Sequence, residues 1–166
     1  MVLRVAGFRN EDWQPSRTFP KITVPGRNRY FVKTGIAMRT DLADRLPLIH
    51  GDRVQLQQVM LNLIINAVEA MSGVSEGVRD LLISTGKAES GGVLVAVKDS
   101  GPGLAPASLE RLFEAFYTTK PGGLGMGLSI CRSIIDAHGG RLWASANVPQ
   151  GAIFQFSLPP HPNSAS

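Results

Sequence analysis

The sequence has little of what disulfide-rich, metal-rich or membrane-spanning proteins contain. It has a single cysteine, Cys131, so it can form neither an internal disulfide nor a cysteine-rich metal site. No run approaches the roughly 18 apolar residues that a membrane-spanning helix needs, and the apolar start is too short for a signal peptide. We therefore expect a soluble domain in a reducing compartment, the cytoplasm, without membrane contact.

Size and charge exclude further classes of protein. Hydrophobic residues make up 43% and charged residues 18% of the 166 residues, which is typical of one globular domain. The net charge of +4 comes from residues 1–40, which contain eight Lys or Arg residues and two acidic ones; the other 126 residues contain nine basic and eleven acidic ones. A basic excess confined to one terminal segment is typical of a solvated linker, so we expect no nucleic-acid binding.

The chain divides into three parts. Residues 1–28 combine prolines and glycines without a hydrophobic period, which predicts a linker or a poorly ordered arm. A domain is expected over residues 29–158 and a flexible tail over 159–166. Twenty residues without proline or glycine begin at Asp52, with Gln55 three residues later, a pattern that indicates a capped helix. The other predicted elements are a strand over 30–39, an antiparallel pair over 81–85 and 93–98, helices over 107–116 and 128–137, and a hairpin over 141–147 and 152–158.

The helix predicted over 52–71 is apolar around most of its circumference but has one polar stripe. Its members are three or four residues apart and share a face; they are Gln55, Gln58, Asn62, Asn66 and Glu69. A buried amide without a partner costs about 1–3 kcal/mol, so Asn62 and Asn66 would need internal hydrogen bonds, water or a ligand. On spacing alone, a solvated helix face explains the stripe equally well.

A second candidate is the segment 99–103, Asp-Ser-Gly-Pro-Gly, at the end of a predicted strand. Asp99 could accept a hydrogen bond from an exocyclic amine, and Gly101 and Gly103 would let the backbone turn sharply against a flat ligand. Taken alone, this segment is better explained as a turn that Asp99 closes with its own backbone.

A third candidate is the glycine-rich segment 122–129, which enters a predicted helix directly. Exposed N–H groups at a helix N-terminus favour phosphate binding. The segment lacks the lysine of a P-loop and a preceding strand, so neither that motif nor a dinucleotide-binding motif fits, and a hinge loop is the alternative. Lys120 could add a positive charge, while Phe113, Phe116 and Tyr117 could anchor a closing loop or belong to the core.

Taken in order, these segments resemble the N, G1, F, G2 and G3 boxes of the ATP-binding catalytic domain of bacterial two-component sensor histidine kinases. The segments are 57–71, 99–104, 113–120, 123–129 and 151–154. The resemblance covers residues 33–158, and the boxes look like those of the branch that includes the oxygen-sensing nitrogen-fixation kinases. Residues 152–153, Ala-Ile, depart from the last box, where Thr is common.

The resemblance implies a Bergerat-type fold of the α/β (α+β) class. In this two-layer sandwich, helices cover one face of a mixed, mainly antiparallel sheet, and residues 104–122 form a mobile ATP lid. By the matching positions, Asp99 would hold the adenine amine, Asn66 would coordinate Mg²⁺, and Asn62 and Lys120 would act near the terminal phosphate. The other residues expected around the nucleotide are Ala70, Gly101, Gly103 and Leu104 at the adenine end, and Gly123, Leu124, Gly125, Met126, Gly127 and Leu128 along the phosphates.

The resemblance also implies partners. Such kinases phosphorylate a histidine on a helical hairpin that precedes this domain, and a response regulator acts downstream. Residues 1–50 are too short and too rich in proline to form that hairpin, so we expect the chain to bind ATP and Mg²⁺ without autophosphorylating alone. We expect this fragment to be monomeric, the full-length kinase to be a homodimer, and the domain to be cytoplasmic, including as part of a membrane-bound sensor.

Two alternatives keep the fold and change the function. The first is an ATPase of the gyrase, Hsp90 or MutL type, in which hydrolysis resembles general-base catalysis by a Glu on the same helix. Asn62 occupies the matching place, and an amide has no useful basicity, which favours transfer of phosphate to a protein histidine. The second is a non-catalytic nucleotide-sensing domain, which would require that ATP not bind although every expected box is filled.

Overall fold

The structure, a computed structural model, describes residues 2–4, 21–24, 27–32, 35–74, 77, 79–120 and 123–162. A sheet forms one layer and helices form the other. In chain order the elements are β1 (Val2–Arg4), β2 (Lys21–Val24), β3 (Arg27–Val32), β4 (Ile36–Leu42), β5 (Leu48–His50), α1 (Arg53–Ser72), β6 (Asp80–Lys87), β7 (Val93–Asp99), α2 (Pro106–Leu109), α3 (Gly127–Ala137), β8 (Arg141–Ala146) and β9 (Ala152–Leu158).

The main sheet has seven strands in the order β2-β3-β4-β6-β7-β9-β8, and β1 pairs separately with β5. Within the main sheet every neighbouring pair is antiparallel except β4 and β6, which are parallel. A parallel pair needs a long crossover connection, which residues 43–79 supply with α1. The mixed, mainly antiparallel sheet expected from the resemblance is therefore confirmed.

Burial alternates along the central strands because helices cover only one face of the sheet. On β7 the side chains at 93, 95, 97 and 99 are buried, and the intervening ones are half-buried. β9 shows the same alternation at 152, 154, 156 and 158. The register pairs Val95 with Phe156 and Val97 with Phe154, so the buried side chains of both strands share one face.

The helix α1 begins at the predicted cap and buries one face of its surface. The Asp52 carboxylate accepts a hydrogen bond from the Gln55 N–H at 3.0 Å, which satisfies a free donor of the first turn. Every fourth residue is then buried against the core, at Val59, Leu63, Ala67 and Met71. The polar stripe lies beside this buried face, where α3 and the segment before it contact it.

The helix α3 packs beside α1 and is connected to it by His138. His138 Nε2 accepts a hydrogen bond from the Asp52 N–H at 2.9 Å, and His138 Nδ1 lies 2.7 Å from the Ile134 carbonyl oxygen. Because a backbone N–H can only donate and a carbonyl can only accept, the ring carries its proton on Nδ1. The imidazole therefore connects the end of α3 to the start of α1.

Two strands lie within residues 1–28, for which the sequence predicts a linker or a poorly ordered arm. β1 and β2 lie in that range, and the rest of it up to residue 26 lies outside the described residues. β2 is a short run with three β-branched residues, separated from β3 by Pro25 and Gly26, a pair that favours turns. The strand predicted over 30–39 is divided between β3 and β4, with Gly35 at φ +76° between them.

One expectation needs correction. The helix predicted over 107–116 is α2, which ends at Leu109; the chain continues in tight turns, in which the N–H of Arg111, Glu114 and Tyr117 each bonds a carbonyl three residues earlier. In the predicted tail, the His161 N–H donates to the Leu48 carbonyl oxygen at 2.7 Å, while residues 163–166 lie outside the described residues.

Among the described residues, no helix is both long enough and apolar enough to cross a membrane.

Candidate active site

Asp99 lies at the end of β7 and has 3% of its surface exposed. Among the described residues it is the only charged one that is buried. Its Oδ1 accepts hydrogen bonds from the N–H groups of Gly101 at 2.8 Å and Ala152 at 3.2 Å. Burial raises the pKa of the Asp99 carboxyl above its ordinary value, and the two backbone hydrogen bonds offset part of that rise. Asp99 is thus held in place through one oxygen.

The other oxygen, Asp99 Oδ2, accepts no hydrogen bond from the residues that the structure describes. It is also not among the fully buried side-chain atoms that have no hydrogen-bond partner. An ionised carboxylate oxygen only accepts hydrogen bonds, so this position selects a donor such as an amine. The turn that Asp99 closes on Gly101 and the expected ligand contact therefore use different oxygens of one side chain.

Three glycines pack around Asp99 because a side chain would not fit. A Cβ at Gly151 would lie 1.9 Å from the Asp99 carbonyl oxygen, and Gly151 has φ +112°. A Cβ at Gly103, which has φ +87°, would lie 3.1 Å from the Gly151 carbonyl oxygen. Gly101 lies against α1, since its Cβ would be 3.5 Å from that of Ala70. Segment 99–103, the loop before β9 and the end of α1 therefore meet here.

The sequence interpretation missed the residue that fastens this loop. Asn147 Nδ2 donates to the Asp99 carbonyl oxygen at 2.9 Å, and the Asn147 N–H donates to the Gly151 carbonyl oxygen at 2.9 Å. No period or motif marks Asn147, because the contact joins residues 48 positions apart. The only sequence signal was the turn composition of residues 147–151 between two strands.

One turn before Ala70, the polar stripe of α1 meets Lys120. The Lys120 ammonium donates to Asn66 Oδ1 at 3.0 Å and forms an ion pair with Glu69 Oε2. The Lys120 and Glu69 side chains are about half exposed, at 42% and 51%. Asn66 and Lys120, both expected at the phosphate end, are thus brought together, and Glu69 joins them although it was not among the expected site residues.

Asn62, one turn before Asn66, is directed to α3 instead of to Lys120. Its Nδ2 donates to Cys131 Sγ at 3.5 Å, and burial raises the pKa of the Cys131 thiol. The Asn62 side chain is half-buried, and its Oδ1 accepts no hydrogen bond from the described residues. The amide oxygen is therefore the part of Asn62 that is available to a ligand.

The glycine-rich segment closes a loop on residue 116. The Phe116 N–H donates to the Gly125 carbonyl oxygen at 2.9 Å, and both residues have φ +67°. A Cβ at Gly125 would lie 2.5 Å from the Phe116 carbonyl carbon, so glycine is required for this approach. A Cβ at Gly123 would lie 2.8 Å from Thr118 Oγ1, whereas at Gly127 nothing lies within 4 Å.

The segment before α3 exposes apolar side chains and leads into a helix start with no side-chain cap. Phe116, Leu124 and Met126 are exposed at 75%, 79% and 40%. Leu104 and Leu128, by contrast, are partly buried against the core. No described side chain caps the N-terminus of α3, so the N–H groups of its first turn remain available to an anion.

The aromatic residues of the 104–122 segment have different environments. Phe113 packs edge-on against Phe154 of β9, with 6.5 Å between ring centroids, and therefore belongs to the core. The Tyr117 hydroxyl lies 3.1 Å from Ser108 Oγ, and the Arg111 guanidinium lies 4.6 Å from the Tyr117 ring centroid. The sequence left open whether these aromatic residues anchor a closing loop or belong to the core. Phe113 belongs to the core, whereas Phe116 is exposed.

These features together are typical of one class of nucleotide-binding domain. They are an α/β sandwich, a carboxylate at the end of a central strand, the polar stripe on the crossover helix, and a glycine-rich segment that begins a helix. Residues 51–162 match the family of histidine kinase-, DNA gyrase B- and HSP90-like ATPases. The chain belongs to this family.

Similar proteins narrow the class to sensor histidine kinases. The chain is 44% identical over 126 residues to sensor histidine kinase TmoS of Ectopseudomonas mendocina, and 44% identical over 124 residues to sensor protein FixL of Bradyrhizobium diazoefficiens. Both matches cover 75% of this chain. The chain spans only 13% of TmoS and 24% of FixL.

Solved structures agree at the level of the domain. The catalytic domain of histidine kinase ThkA, in a nucleotide-free form, has TM-score 0.65 and 35% identity over 78% of this chain and 84% of that one. Full-length ShkA in complex with AMPPNP has TM-score 0.66 and 34% identity over 76% of this chain and 26% of that one. ThkA in complex with response regulator protein TrrA has TM-score 0.64 and 33% identity over 78% and 36% of the two chains. The chain is therefore a histidine kinase catalytic domain, and the resemblance read from the sequence is confirmed.

Proposed function

We propose that this domain binds ATP and donates its γ-phosphate to a histidine on the phosphoacceptor domain of the same kinase, as the first step of two-component signalling. The observation that carries the proposal is Asp99, which is buried and held by two backbone N–H groups through Oδ1, while Oδ2 accepts no hydrogen bond from the described residues. The similarity to ShkA, which was solved with AMPPNP, supports an adenine nucleotide as the ligand.

At the adenine end, Asp99 Oδ2 accepts a hydrogen bond from the exocyclic amine. A hydrogen bond to a charged group contributes about 1.5–3 kcal/mol, which makes Asp99 the main determinant of base choice. Gly101 and Gly103 let the backbone lie flat against the base, and Ala70 presents a methyl group beside Gly101. Leu104, partly buried, adds apolar surface at the start of the lid.

At the phosphate end, backbone N–H groups and one lysine neutralise the triphosphate. The segment from Gly123 to Leu128 enters α3, whose first-turn N–H groups have no side-chain cap among the described residues. Gly125 and Gly127 keep the backbone accessible, while Leu124 and Met126 present their N–H groups and keep their side chains outside. Lys120 reaches the γ-phosphate from the end of the lid.

Asn66 is the residue proposed to hold Mg²⁺. Its Oδ1 already contacts a cation, the Lys120 ammonium, so a hard oxygen donor is exposed where positive charge is accepted. Mg²⁺ would neutralise phosphate charge there. Asn62, one turn earlier, orients the terminal phosphoryl group through its amide oxygen, because its Nδ2 is used by Cys131. Because residue 62 is an asparagine, this position has no carboxylate that could activate water.

Transfer of phosphate from ATP to a separately added histidine-containing hairpin tests this function. We expect γ-labelled ATP with Mg²⁺ to label the histidine-containing hairpin of a similar kinase, such as FixL, when this chain is added. The label should be acid-labile and absent from a hairpin whose histidine is replaced. Stoichiometric acid-labile label on this chain itself, or release of phosphate with no label on the hairpin, would contradict the proposal.

The identity of residue 62 separates transfer from hydrolysis. Asn62→Glu should raise ATP hydrolysis at least about tenfold, because a carboxylate can act as a general base for water. Asn62→Gln is the matched control, since it keeps an amide and should leave hydrolysis at the wild-type level. Equal phosphate release by both variants, measured at saturating ATP, would contradict the role given to residue 62 in separating transfer from hydrolysis.

The partners follow from the same proposal. The similarity to ThkA, solved in complex with response regulator TrrA, supports a response regulator as the protein that receives the phosphate from the histidine. We further propose that the full-length kinase is a homodimer through its hairpin, with this domain monomeric when separated. Analytical ultracentrifugation of this chain would measure its oligomeric state.

A further inference from the structure

Two side-chain oxygens on α1 contact the same ammonium group in this structure, that of Lys120. Asn66 Oδ1 and Glu69 Oε2 both contact the Lys120 ammonium, although Lys120 is 54 and 51 residues further along the chain. Asn66 and Glu69 are three residues apart, which places their side chains on one face of the helix. An amide oxygen and a carboxylate oxygen thus converge on a single position.

We propose that Asn66 and Glu69 form a two-oxygen cation site, which Lys120 fills in the nucleotide-free domain and Mg²⁺ takes when ATP binds. Glu69 would then be a second residue that holds the metal, directly or through water. The inference rests on the proposed function, because it assumes that the metal enters with the nucleotide. It goes further in naming Glu69 and in making Lys120 a competitor of the metal.

The chemistry of the two oxygens favours this exchange. Mg²⁺ prefers carboxylate and amide oxygens and is commonly bound by one or two protein ligands together with waters and phosphates. Lys120 and Glu69 are each about half exposed, and exposed ion pairs stabilise a protein little, so a divalent ion can displace the ammonium. The displaced Lys120 gains a new anionic partner in the terminal phosphate.

The exchange gives Lys120 a different partner in each state. In the nucleotide-free domain, Lys120 neutralises Glu69, whose charge would otherwise repel the triphosphate. With ATP and the metal bound, the metal neutralises Glu69 and Lys120 neutralises phosphate. The segment that ends at Lys120 is therefore connected to α1 in one state and to the nucleotide in the other.

Mn²⁺ binding to the nucleotide-free protein, measured by electron paramagnetic resonance, tests the cation site without any activity assay. Lys120→Met should bind Mn²⁺ about fivefold or more tightly than wild type, because the competing ammonium is gone. Lys120→Met combined with Glu69→Gln should lose that gain. Lys87→Met, which removes an exposed lysine on β6, is the control for net charge and should match wild type.

Equal Mn²⁺ affinity for wild type and Lys120→Met, or retention of the gain in the double variant, would overturn the inference. A second measurement separates it from the proposed function: ATP affinity with Mg²⁺ and with EDTA. Glu69→Gln should reduce the ratio of the two affinities about tenfold while ATP still binds in EDTA. An unchanged ratio would refute the role of Glu69, whereas no ATP binding by wild type under either condition would refute the proposed function instead.

Discussion

Asp99→Asn is expected to weaken ATP binding roughly 10- to 100-fold, the loss that corresponds to one hydrogen bond to a charged group. The amide can keep its oxygen at the Oδ1 position, where the N–H groups of Gly101 and Ala152 donate. Its NH₂ group then replaces Oδ2 and presents a donor to the adenine amine, which is also a donor. Calorimetric titration of ATP into wild type and variant measures the difference.

The same change should alter base preference. A donor at the Oδ2 position suits the 6-oxo group of hypoxanthine or guanine, so Asp99→Asn should bind ITP relatively better than wild type does. Asp41→Asn, at an exposed position near the end of β4, removes the same charge and should leave both affinities unchanged. Equal ATP binding by wild type and Asp99→Asn would contradict the assigned contact.

The pH dependence of stability checks that the Asp99→Asn variant is folded. Because burial raises the pKa of Asp99, the folded protein binds this proton more tightly than the unfolded chain does. The stabilisation that protonated Asp99 contributes to wild type is therefore complete below the ordinary pKa of 3.8 and is lost as the pH rises through the raised pKa of Asp99 in the folded protein. We expect the Asp99→Asn variant to be the more stable protein at neutral pH, with the difference shrinking toward acid.

Gly151→Ala is expected to lower the free energy of unfolding by about 3–5 kcal/mol. The new Cβ would lie 1.9 Å from the Asp99 carbonyl oxygen, and the backbone of both segments would have to move. Gly151 has φ +112°, a conformation that strains any L side chain. Since the movement displaces Asp99, ATP affinity should fall as well.

Urea unfolding measures this loss as a lower midpoint with an unchanged slope. Gly127→Ala is the matched control, because a Cβ there meets nothing within 4 Å and φ is not positive. This control should unfold within about 0.5 kcal/mol of wild type. A Gly151→Ala protein as stable as the control would show that the loop before β9 does not pack on Asp99 as described.

Local patterns predicted the elements whose signals are contained in a few residues. The cap at Asp52 and the twenty-residue stretch after it gave α1, and the two β-rich runs gave β6 and β7 with the correct antiparallel pairing. β2, β5 and the early end of α2 were missed, because strands of three or four residues have almost no period and successive tight turns look helical in sequence.

The site was predictable to the extent that it follows motifs. The resemblance predicts Asp99, Gly101 and Asn66 as site residues, and in the structure the Gly101 N–H donates a hydrogen bond to Asp99 Oδ1. The contacts of Asn147 with Asp99 and of Glu69 with Lys120 join residues about fifty positions apart. Such contacts depend on how the sheet and helices pack, which no local pattern records.

The parallel pairing of β4 with β6 has a consequence for solubility. β6 would be an edge strand if β4 did not pair with it, and an eight-residue strand with unpaired N–H and C=O groups can recruit strands from other chains. β3 and then β2 continue the sheet outward, so that in the described part of the chain the outermost strand on that side is the four-residue β2, Lys21–Val24. β2, β3 and β4, which contain none of the expected site residues, thus cover the edge of β6 against pairing with other chains.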